Sequence, residues 1–411
     1  MSNGLFSTTQ KMLSPDLTDL ITQPAQIGGI QKRNLSSYIN PEQGDTTYNS
    51  NTIVRFKFPS ECIDFTNSSL QFGVTTAVTG GTYARVSQNI GSVIRRLRLL
   101  FGSTEVYDTE NFNLLFSYMT LYKNTNWFNG LGKLLMGTGS ASDRNSANNN
   151  GQKYLLRLGC ICEILNRVLP LHVINEQFII ELTLEKPENC IETDGSNPSF
   201  SLFSVEYHFD YLILEPEFNN LLKEQIVNGG LCIPFRKYNN YTNTSVTSGV
   251  TSAQIQLPYR YLALQGIISI MRNSANLGNP TVNDKFVTYL GYSNFVNTVL
   301  KVNSVLMPAD KVNNVNEVME LDLQLFSKKY YDDVYIANNF PQYFSMGFSL
   351  MQDSRDYSFS TLQGISASTS GFSLIHQFVL SSNSVNMQID YYSISAGSLL
   401  ILPTGSIKFT E

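Results

Sequence analysis

The feature that most constrains the fold of this chain is an alternation of apolar and polar residues that recurs along most of its length. Successive side chains of a β-strand point to opposite faces of a sheet, so this period of two indicates strands with one wet face. In the longest run, residues 203–213, aromatic and aliphatic residues interleave with Ser204, Glu206, His208 and Asp210. The pattern predicts antiparallel sheets.

Shorter segments show the same alternation. They are residues 54–58, 93–101, 178–184, 261–271, 295–306, 319–325, 343–351 and 385–391. Helical spacing is scarce and is best in residues 110–123 and 217–227, each of which opens with an acidic residue that suits the positive end of a helix dipole. The chain is therefore predicted to be all-β with short helices.

A chain of 411 residues is too long for one hydrophobic core, which predicts two domains. The helix at 217–227 follows a strand that ends at Glu215-Pro216 and precedes Gly229-Gly230, as expected for a connector. A weak internal repeat agrees, because residues 92–120 and 295–326 share an order of strand, turn and apolar stretch about 200 residues apart. The predicted division is an N-terminal arm at 1–48, a first domain at 49–216, a connector at 217–229, a second domain at 230–404 and a tail at 405–411.

Two long loops stand out, at residues 124–152 and 239–252, both rich in small polar residues. Connections in compact domains are usually about 4 to 6 residues, so loops of this length are either disordered or functional insertions. In an assembling protein such insertions form outer projections or contacts with neighbouring subunits.

The composition favours a protein buried against partners. Charged residues make up 15% of the chain, against roughly 25% in a typical soluble protein, whereas Phe and Tyr number 25 and 22. The net charge is −5, and residues 1–45 carry three basic and four acidic side chains. Binding to nucleic acid by counterion release needs clustered basic residues, so sequence-specific contact with nucleic acid is not expected.

The N-terminus lacks the basic and apolar regions of a signal peptide, and no segment reaches the roughly 18 apolar residues of a membrane span. Five cysteines are an odd number scattered through a long chain, which fits free thiols in a reducing compartment. The sequence predicts a soluble protein that is not secreted.

Catalytic signatures are absent from the sequence. Gly132-Lys133 fails the phosphate-loop pattern, because Trp127 and Leu134 occupy positions that require Gly and Ser or Thr. His172, His208 and His376 are isolated from one another. Cys160 and Cys162 share a strand face but have no further ligands at suitable spacing. No catalytic, cofactor-binding or metal-binding residue is predicted.

Two groups of charged residues are candidate sites. Glu320 and Asp322 lie on one face of the predicted strand about 7 Å apart, a spacing that suits glycoside hydrolysis, although a solvated strand face is the favoured interpretation. Arg95, Arg96 and Arg98 form the densest basic cluster, but alternation divides them over two faces, which argues against a phosphate-binding stripe. Asp332-Asp333 is predicted to lie in a turn.

At this point the order of segments becomes informative. The segments are Arg55-Phe-Lys-Phe-Pro59, Phe65-Thr-Asn-Ser-Ser-Leu-Gln-Phe72, Ser92-Val-Ile-Arg-Arg-Leu-Arg-Leu99, the helical residues 111–122, Leu169-Pro-Leu171, and the strands at 178–184 and 205–214. Together they resemble the first barrel of double jelly-roll major capsid proteins. The likeness covers residues 50–215, and the second half shares it by architecture. The chain looks most similar to capsid proteins of polinton-like viruses and virophages, within the lineage of adenovirus hexons and tailless phages.

The resemblance implies two tandem eight-stranded jelly-roll barrels with short connector helices and no enzyme activity. It implies a homotrimer whose pseudo-hexameric capsomers tile an icosahedral shell with penton and minor capsid proteins. Exposed loops would contact a host receptor, and the arm at 1–48 would tie neighbours together. The protein would be made and assembled inside the host cell and belong to the virion, with an internal membrane left open. No functional residue carries over, because a capsid protein works through surfaces.

Two other classes of protein remain open. A receptor-binding spike or penton protein would also be a β-sandwich, but a single barrel with a fibrous tail would mark it. A carbohydrate-active enzyme on a jelly-roll scaffold would need an aromatic-lined cleft with convergent carboxylates, for which Glu320 and Asp322 are the candidates.

Overall fold

The computed structural model describes residues 30–121, 125–138, 140, 142, 144, 151–286, 289–325, 344–351 and 364–410. Strands of the first half are β1 (Ile30–Ile39), β2 (Thr47–Asn49), β3 (Ile53–Lys57), β4 (Cys62–Thr79), β5 (Ala84–Val86), β6 (Ile94–Phe101), β7 (Thr104–Thr109), β8 (Lys153–Leu156), β9 (Val168–Pro170), β10 (Phe178–Leu184), β11 (Ile191–Thr193) and β12 (Ser196–Leu214). Strands of the second half are β13 (Leu231–Asn243), β14 (Ser252–Gln256), β15 (Leu264–Asn273), β16 (Phe295–Val302), β17 (Val305–Val312), β18 (Ser345–Ser349), β19 (Leu374–Leu380), β20 (Met387–Ile401) and β21 (Ile407–Thr410).

Short helices connect the strands. They are α1 (Phe112–Leu121), α2 (Thr125–Asn129), α3 (Leu131–Met136), α4 (Pro187–Cys190), α5 (Pro216–Gly229) and α6 (Val315–Gln324). Single turns of 3₁₀ helix are Ile90–Val93, Leu158–Cys160, Glu163–Asn166, Leu171–Val173, Ser274–Asn276 and Tyr292–Asn294. None of the described helices is long and apolar enough to cross a membrane.

The first half of the chain forms two facing antiparallel sheets and a small two-stranded sheet of β5 and β11. One facing sheet has the order β1-β12-β4-β8, with β2 also paired to β12 and β9 to β4, and the other has the order β3-β10-β6-β7. The second half repeats this arrangement as β13-β20-β15-β18 and β14-β19-β16-β17. When β1 with β2 and β8 with β9 are each taken as one interrupted strand, both halves have eight principal strands in the order 1-8-3-6 and 2-7-4-5.

This strand order is that of a jelly roll, so the predicted fold of two tandem eight-stranded barrels with short helices is confirmed. The internal repeat in the sequence corresponds to real structure. Strands β6 and β7 lead into α1 in the first barrel, and β16 and β17 lead into α6 in the second. Helix α5 joins β12, the last principal strand of the first barrel, to β13, the first of the second.

One predicted strand is wrong. Residues 319–325 alternate, but residues 315–324 form helix α6. Apolar Val315, Val318 and Met319 also fit a period of 3.6, and the side chain of Asn314 accepts a hydrogen bond from the Asn316 amide at 2.9 Å. This N-cap starts the helix and decides between the two periods.

The predicted strand at 295–306 is in fact the hairpin of β16 and β17. Its turn is formed by Asn303 and Ser304, which have φ angles of 48° and 73°. Two successive residues with positive φ make the tight turn that joins antiparallel strands. Asn indicates such a turn less strongly than Gly does. Because apolar residues continue on both sides of Asn303 and Ser304, the sequence predicted one strand instead of two.

Both predicted chain ends overlap with sheet strands. Residues 30–39, placed by the sequence in an N-terminal arm, form β1 and pair with β12, and residues 407–410 of the predicted tail form β21 and pair with β20. Residues 47–48 of the predicted arm belong to β2, and residues 1–29 lie outside the described residues. The predicted loop at 124–152 contains α2 and α3, and the one at 239–252 begins within β13.

Candidate functional site

The junction between the two barrels combines apolar packing with hydrogen bonds and ion pairs. Strand β7, at the edge of a first-barrel sheet, packs against β13 of the second barrel. The hydroxyl of Thr109 in β7 donates a hydrogen bond to the carbonyl of Tyr238 in β13, and both residues are buried. The second barrel thereby covers the edge strand of a first-barrel sheet, which protects that edge from pairing with other chains.

The centre of the sheet face that β13, β15 and β20 present to the junction is apolar. Ile267 and Ile389 point into the core of the second barrel, whereas Ile268 and Tyr392, on the opposite face, belong to the same buried cluster as the first-barrel core. Ile268 and Tyr392 are both 0% exposed. Burial of this second face, by the first barrel and by α6, contributes hydrophobic stabilisation that neither barrel has alone.

Asn111, between β7 and α1, anchors the junction. Its amide nitrogen Nδ2 lies 3.2 Å from Asn240 Oδ1 and 3.1 Å from Asp390 Oδ1. The hydroxyl of Tyr392 donates to the Asn111 carbonyl at 2.8 Å. The φ angle of Asn111 is 50°, in the left-handed region that Asn tolerates better than most residues. The chain therefore turns sharply at this position and places the side chain in the second barrel.

A buried ion pair lies beneath Asn111. Arg272 Nη2 and Nε donate to Asp390 Oδ2 at 2.7 and 3.2 Å, and Asp390 is 0% exposed. Burial disfavours the charge on the Arg272 guanidinium, but Asp390 outweighs this effect and raises the pKa of Arg272. The Thr242 hydroxyl donates to the second Asp390 oxygen at 2.7 Å. The carboxylate is thus held by groups from both barrels.

Glu192 joins four segments at one end of the junction. Its carboxylate accepts from Arg85 Nε and Ser87 Oγ, both at 2.8 Å, and from Arg144 Nη2 at 3.2 Å. From the second barrel, the backbone amide of Asp284 donates to it at 2.6 Å. Glu192 is 0% exposed, and a buried carboxylate with this many donors is rigidly held.

Lys285 of the second barrel inserts its side chain into the first. Its Nζ donates to the carbonyls of Glu188 and Ile191, the latter at 2.9 Å. Burial lowers the pKa of Lys285 to about 8. The amine therefore caps backbone carbonyls at the end of α4 and fixes that loop to the second barrel.

A cleft of about 200 Å³ opens beside these groups and is lined mostly by polar side chains from both barrels. The amide groups of Asn113 and Asn189 donate to the two oxygens of Glu185 at 2.8 and 3.0 Å. Arg272 and Lys285 are likewise bonded within the protein, Arg272 to Asp390 and Lys285 to the carbonyls of Glu188 and Ile191. The arrangement holds the two barrels in a fixed relation.

The three histidines lie far apart in the fold. His172 Nε2 is 2.9 Å from Asn219 Oδ1 near α5, and His208 Nε2 is 3.0 Å from Glu206 Oε2 on β12. His376 is 1% exposed inside the second barrel, where burial lowers its pKa to about 3. The structure brings none of the three together.

The cysteines and the arginine cluster also separate into unrelated environments. Cys160 is exposed, whereas Cys162 is buried and burial raises the pKa of its thiol. Among the described residues no group of three or more His, Cys, Asp and Glu side chains could hold a metal ion. Arg96 pairs with Asp108 at 2.5 Å, and Arg98 pairs with Glu105 and Glu181. Arg95 pairs with Glu110, so each arginine of the basic cluster has a carboxylate partner.

Glu320 and Asp322 do not share a face, because they lie two residues apart on helix α6 rather than on a strand. Glu320 is exposed, whereas Asp322 is 0% exposed and accepts a hydrogen bond from the Ser345 hydroxyl. Glu320 and Asp322 therefore do not form the carboxylate pair that a glycoside hydrolase would need. Asp332-Asp333 lies outside the described residues.

The residues that do hold the junction were missed by sequence reasoning. Asn111, Glu192, Arg272 and Asp390 are single polar residues, and no spacing motif connects them. The available signal was a charge inside an apolar strand, as in Met387-Gln-Ile-Asp-Tyr-Tyr392, where a buried carboxylate requires a partner. The partner itself could not be named without the three-dimensional arrangement.

No protein-family model matches the sequence, and no curated protein matches it. Solved structures do match. PBCV-1 VP54, fitted into a reconstruction of the virophage Sputnik, superposes with a TM-score of 0.59 at 12% identity, over 92% of this chain and 96% of that one. The Faustovirus major capsid protein gives a TM-score of 0.60 at 9% identity, over 92% and 90% of the two chains.

The mavirus major capsid protein is similar to this chain with a TM-score of 0.52 at 9% identity, over 91% of this chain and 90% of that one. Each match spans nearly the whole of both proteins, so the likeness includes both barrels. At these identities the likeness concerns the fold.

Proposed function

We propose that this chain is a non-enzymatic major capsid protein, whose homotrimer forms pseudo-hexameric capsomers that tile an icosahedral shell. The observation that carries the proposal is the repetition of one barrel topology in both halves, combined with a buried junction that fixes the halves to each other. Solved structures that share this arrangement over nine tenths of both chains, those of Faustovirus and mavirus, bear the names of major capsid proteins.

The geometry explains why such a chain suits a shell. Two similar barrels side by side are two copies of one building unit, and three chains around a threefold axis present six of them. Six units around one axis approximate a hexagon, which fills a surface with identical neighbours. A junction held by Glu192 and by the pair of Arg272 and Asp390 keeps the angle between the units constant, as tiling requires.

The proposal includes partners other than the chain itself. Penton and minor capsid proteins would complete the shell, and exposed loops such as residues 244–251 would contact a host receptor. Residues 1–29 would act as an arm that ties neighbouring capsomers or minor proteins together. The protein would be assembled inside the host cell and belong to the virion.

Light scattering of the purified protein, followed by negative-stain imaging, tests the proposal. We expect particles of three times the chain mass with a hexagonal outline. A monodisperse monomer at all concentrations would contradict the capsid function and favour a receptor-binding spike or penton protein.

Deletion of residues 1–29 tests the arm separately. Because β1 begins at residue 30, the truncated chain retains its sheet. We expect trimers to form while shells fail to assemble, and normal shells from the truncated chain would rule out the arm.

A further inference from the structure

The cleft at the junction has one wall whose polar groups are bonded and one whose polar groups are open. On the first-barrel side, Asn189 donates to Glu185, and its own oxygen accepts from the Gly278 amide at 3.1 Å. On the second-barrel side, the Asn276 side chain makes no hydrogen bond within the described part of the chain. Gln388 uses only its amide nitrogen, which lies 3.2 Å from both oxygens of Asp390.

Two cations that line the cleft also keep unused donors. Arg272 and Lys285 are each 6% exposed. Arg272 bonds Asp390 through Nε and Nη2, which leaves Nη1 without a partner among the residues that the structure describes. The Lys285 ammonium has three N–H groups and donates two hydrogen bonds, both to backbone carbonyls. The nearly buried end of the cleft therefore has donors that the fold itself does not occupy.

The open groups include acceptors as well as donors. The amide nitrogens of Asn111 and Gln388 both bond Asp390, so the oxygens of these two side chains remain as acceptors. A phosphate or sulfate ion presents acceptor oxygens on every side and would leave these groups unpaired, at a cost. A hydroxyl group both donates and accepts, so a compound with several hydroxyls can pair with both kinds of group.

The cleft also has an apolar part, formed by Leu277 and Phe286. The faces of a sugar ring carry C–H groups that can pack on such side chains, while the hydroxyls at its rim bond polar groups. The volume of about 200 Å³ is below the roughly 300 Å³ of sites for drug-sized molecules, so one ring fits and a longer chain does not. The buried carboxylate of Glu185 disfavours an acidic sugar.

The position of the cleft suits contact with a surface outside the shell. Gln388, near the first residue of β20, lies beside the end of β13, from which the loop of residues 244–251 departs. The last residue of β20, Ile401, pairs with Leu231, which follows α5. Strand rise separates the two ends of β20 by roughly 45 Å. Because β1 also begins beside α5, the proposed arm starts at the end of the molecule opposite the cleft.

We propose that the cleft binds one neutral sugar ring, the terminal unit of a glycan on the host cell. This inference rests on the proposed function, because it identifies the chemistry of the receptor contact. Asn276, Gln388 and the free donors of Arg272 and Lys285 bind the hydroxyls, and Phe286 packs on the C–H face of the ring.

Nuclear magnetic resonance of the wild-type protein with single sugars tests the proposal by saturation transfer. The neutral probes are the methyl glycosides of galactose, glucose, mannose, fucose, xylose and N-acetylglucosamine, and the anionic probes are inorganic phosphate and N-acetylneuraminic acid. We expect one neutral glycoside to bind with a dissociation constant of about 1 mM, as is usual for a ligand of so few atoms, and the anions not to bind.

Two variants locate the binding. Asn276→Leu removes the open amide, and Gln388→Met removes the open acceptor at similar length. We expect each to weaken sugar binding by about tenfold, the effect of one or two lost hydrogen bonds. Ala275→Leu, at an exposed position of the same turn that does not line the cleft, is the matched control and should bind like the wild type. Circular dichroism and thermal melting verify that all variants are folded.

Two results would overturn the inference and leave the capsid function standing. The first is that no neutral glycoside binds, or that only an anionic probe does. The second is that both cleft variants bind sugar as tightly as the wild type, which would place the sugar elsewhere. A protein that binds sugar in the cleft but never forms trimers would contradict the proposed function alone.

Discussion

The carboxylate of Asp390 and the guanidinium of Arg272 form an ion pair of 2.7 Å within the second barrel, on the face that the first barrel covers. Both partners are more than nine tenths buried, so the pair is shielded from water only while the barrels are together. The Asn111 amide nitrogen also contacts this carboxylate, at 3.1 Å. The charge pair therefore couples the stability of the second barrel to its contact with the first.

Asp390→Ala leaves Arg272 buried without its counter-ion. Removal of one partner of a buried ion pair costs about 3 to 5 kcal/mol, so we expect a loss of this size in the free energy of unfolding, measured by urea denaturation. Asp310→Ala, at an exposed position of β17, is the control and should change stability by less than about 0.5 kcal/mol. Equal effects of the two variants would contradict the assigned role of the pair.

Replacement of Asn111 separates the side-chain and backbone contributions at the junction. Asn111→Ala loses the donor to Asn240 and Asp390 and forces Ala into a φ of 50°, whereas Asn111→Gly loses only the donor. We expect both variants to lower the free energy of unfolding by about 1 to 3 kcal/mol, with Ala worse than Gly by about 1 kcal/mol. Identical urea midpoints for wild type and both variants would argue against the anchor.

Gly347 allows helix α6 to pack on β18. A Cβ at this position would lie 2.5 Å from Asp322 Oδ1 and 2.6 Å from a methyl carbon of Leu325. We expect Gly347→Ala to destabilise the protein by about 1 to 3 kcal/mol, because the helix has to move away from the sheet.

Gly229 provides the matched control for this substitution, since a Cβ there would meet nothing within 4 Å. Gly229→Ala should be neutral or stabilise by up to about 1 kcal/mol. Thermal melting of both variants is the measurement, and similar shifts would show that α6 does not pack as described.

His376 makes stability depend on pH. Burial lowers its pKa from 6.5 to about 3, so between these values the unfolded chain binds a proton that the folded protein does not. The free energy of unfolding should therefore fall as pH drops through this window, by at most about 1.4 kcal/mol per pH unit from this residue. His376→Gln keeps partners for Thr298 and Tyr391 and should flatten that part of the profile.

Urea denaturation between pH 4 and pH 7 gives the free energy of unfolding of the wild type and of His376→Gln. The difference between the two values at each pH cancels the contribution of the carboxylates, which both proteins share. His208→Gln, at a partly exposed histidine on β12, is the control and should follow the wild type. A slope that His376→Gln leaves unchanged would contradict the assignment.

The alternation of side chains was enough to predict the fold class, because a sheet with one solvent-exposed face requires apolar and polar residues to alternate along each strand. Residues 178–184 were placed as a strand with the bounds that β10 has in the structure. Prediction failed where two periods coexist, as at residues 319–325, since an N-cap at Asn314 then decides the outcome. It also failed at the turn of Asn303 and Ser304, where apolar residues continue on both sides.

The junction could not be predicted from the sequence, for a physical reason. Its residues are separated by up to 279 positions, as Asn111 and Asp390 are, and each makes sense only beside the others. A strand buried on both faces, such as β20, has a sequence of small, aliphatic and aromatic residues. Such a sequence does not indicate which part of the chain packs on each face. The contact between barrels is thus a property of the assembled chain.

The apolar face of the second barrel has a consequence for the order in which the chain is made. Ribosomes release the N-terminal half first, and domains generally fold as units during synthesis. By the time Ile268 and Tyr392 are synthesised, the barrel that covers them is already complete and is tethered to the second barrel by α5. The apolar face of the second barrel is thus synthesised next to the folded first barrel that buries it. This order protects nascent chains from aggregating with one another through that face.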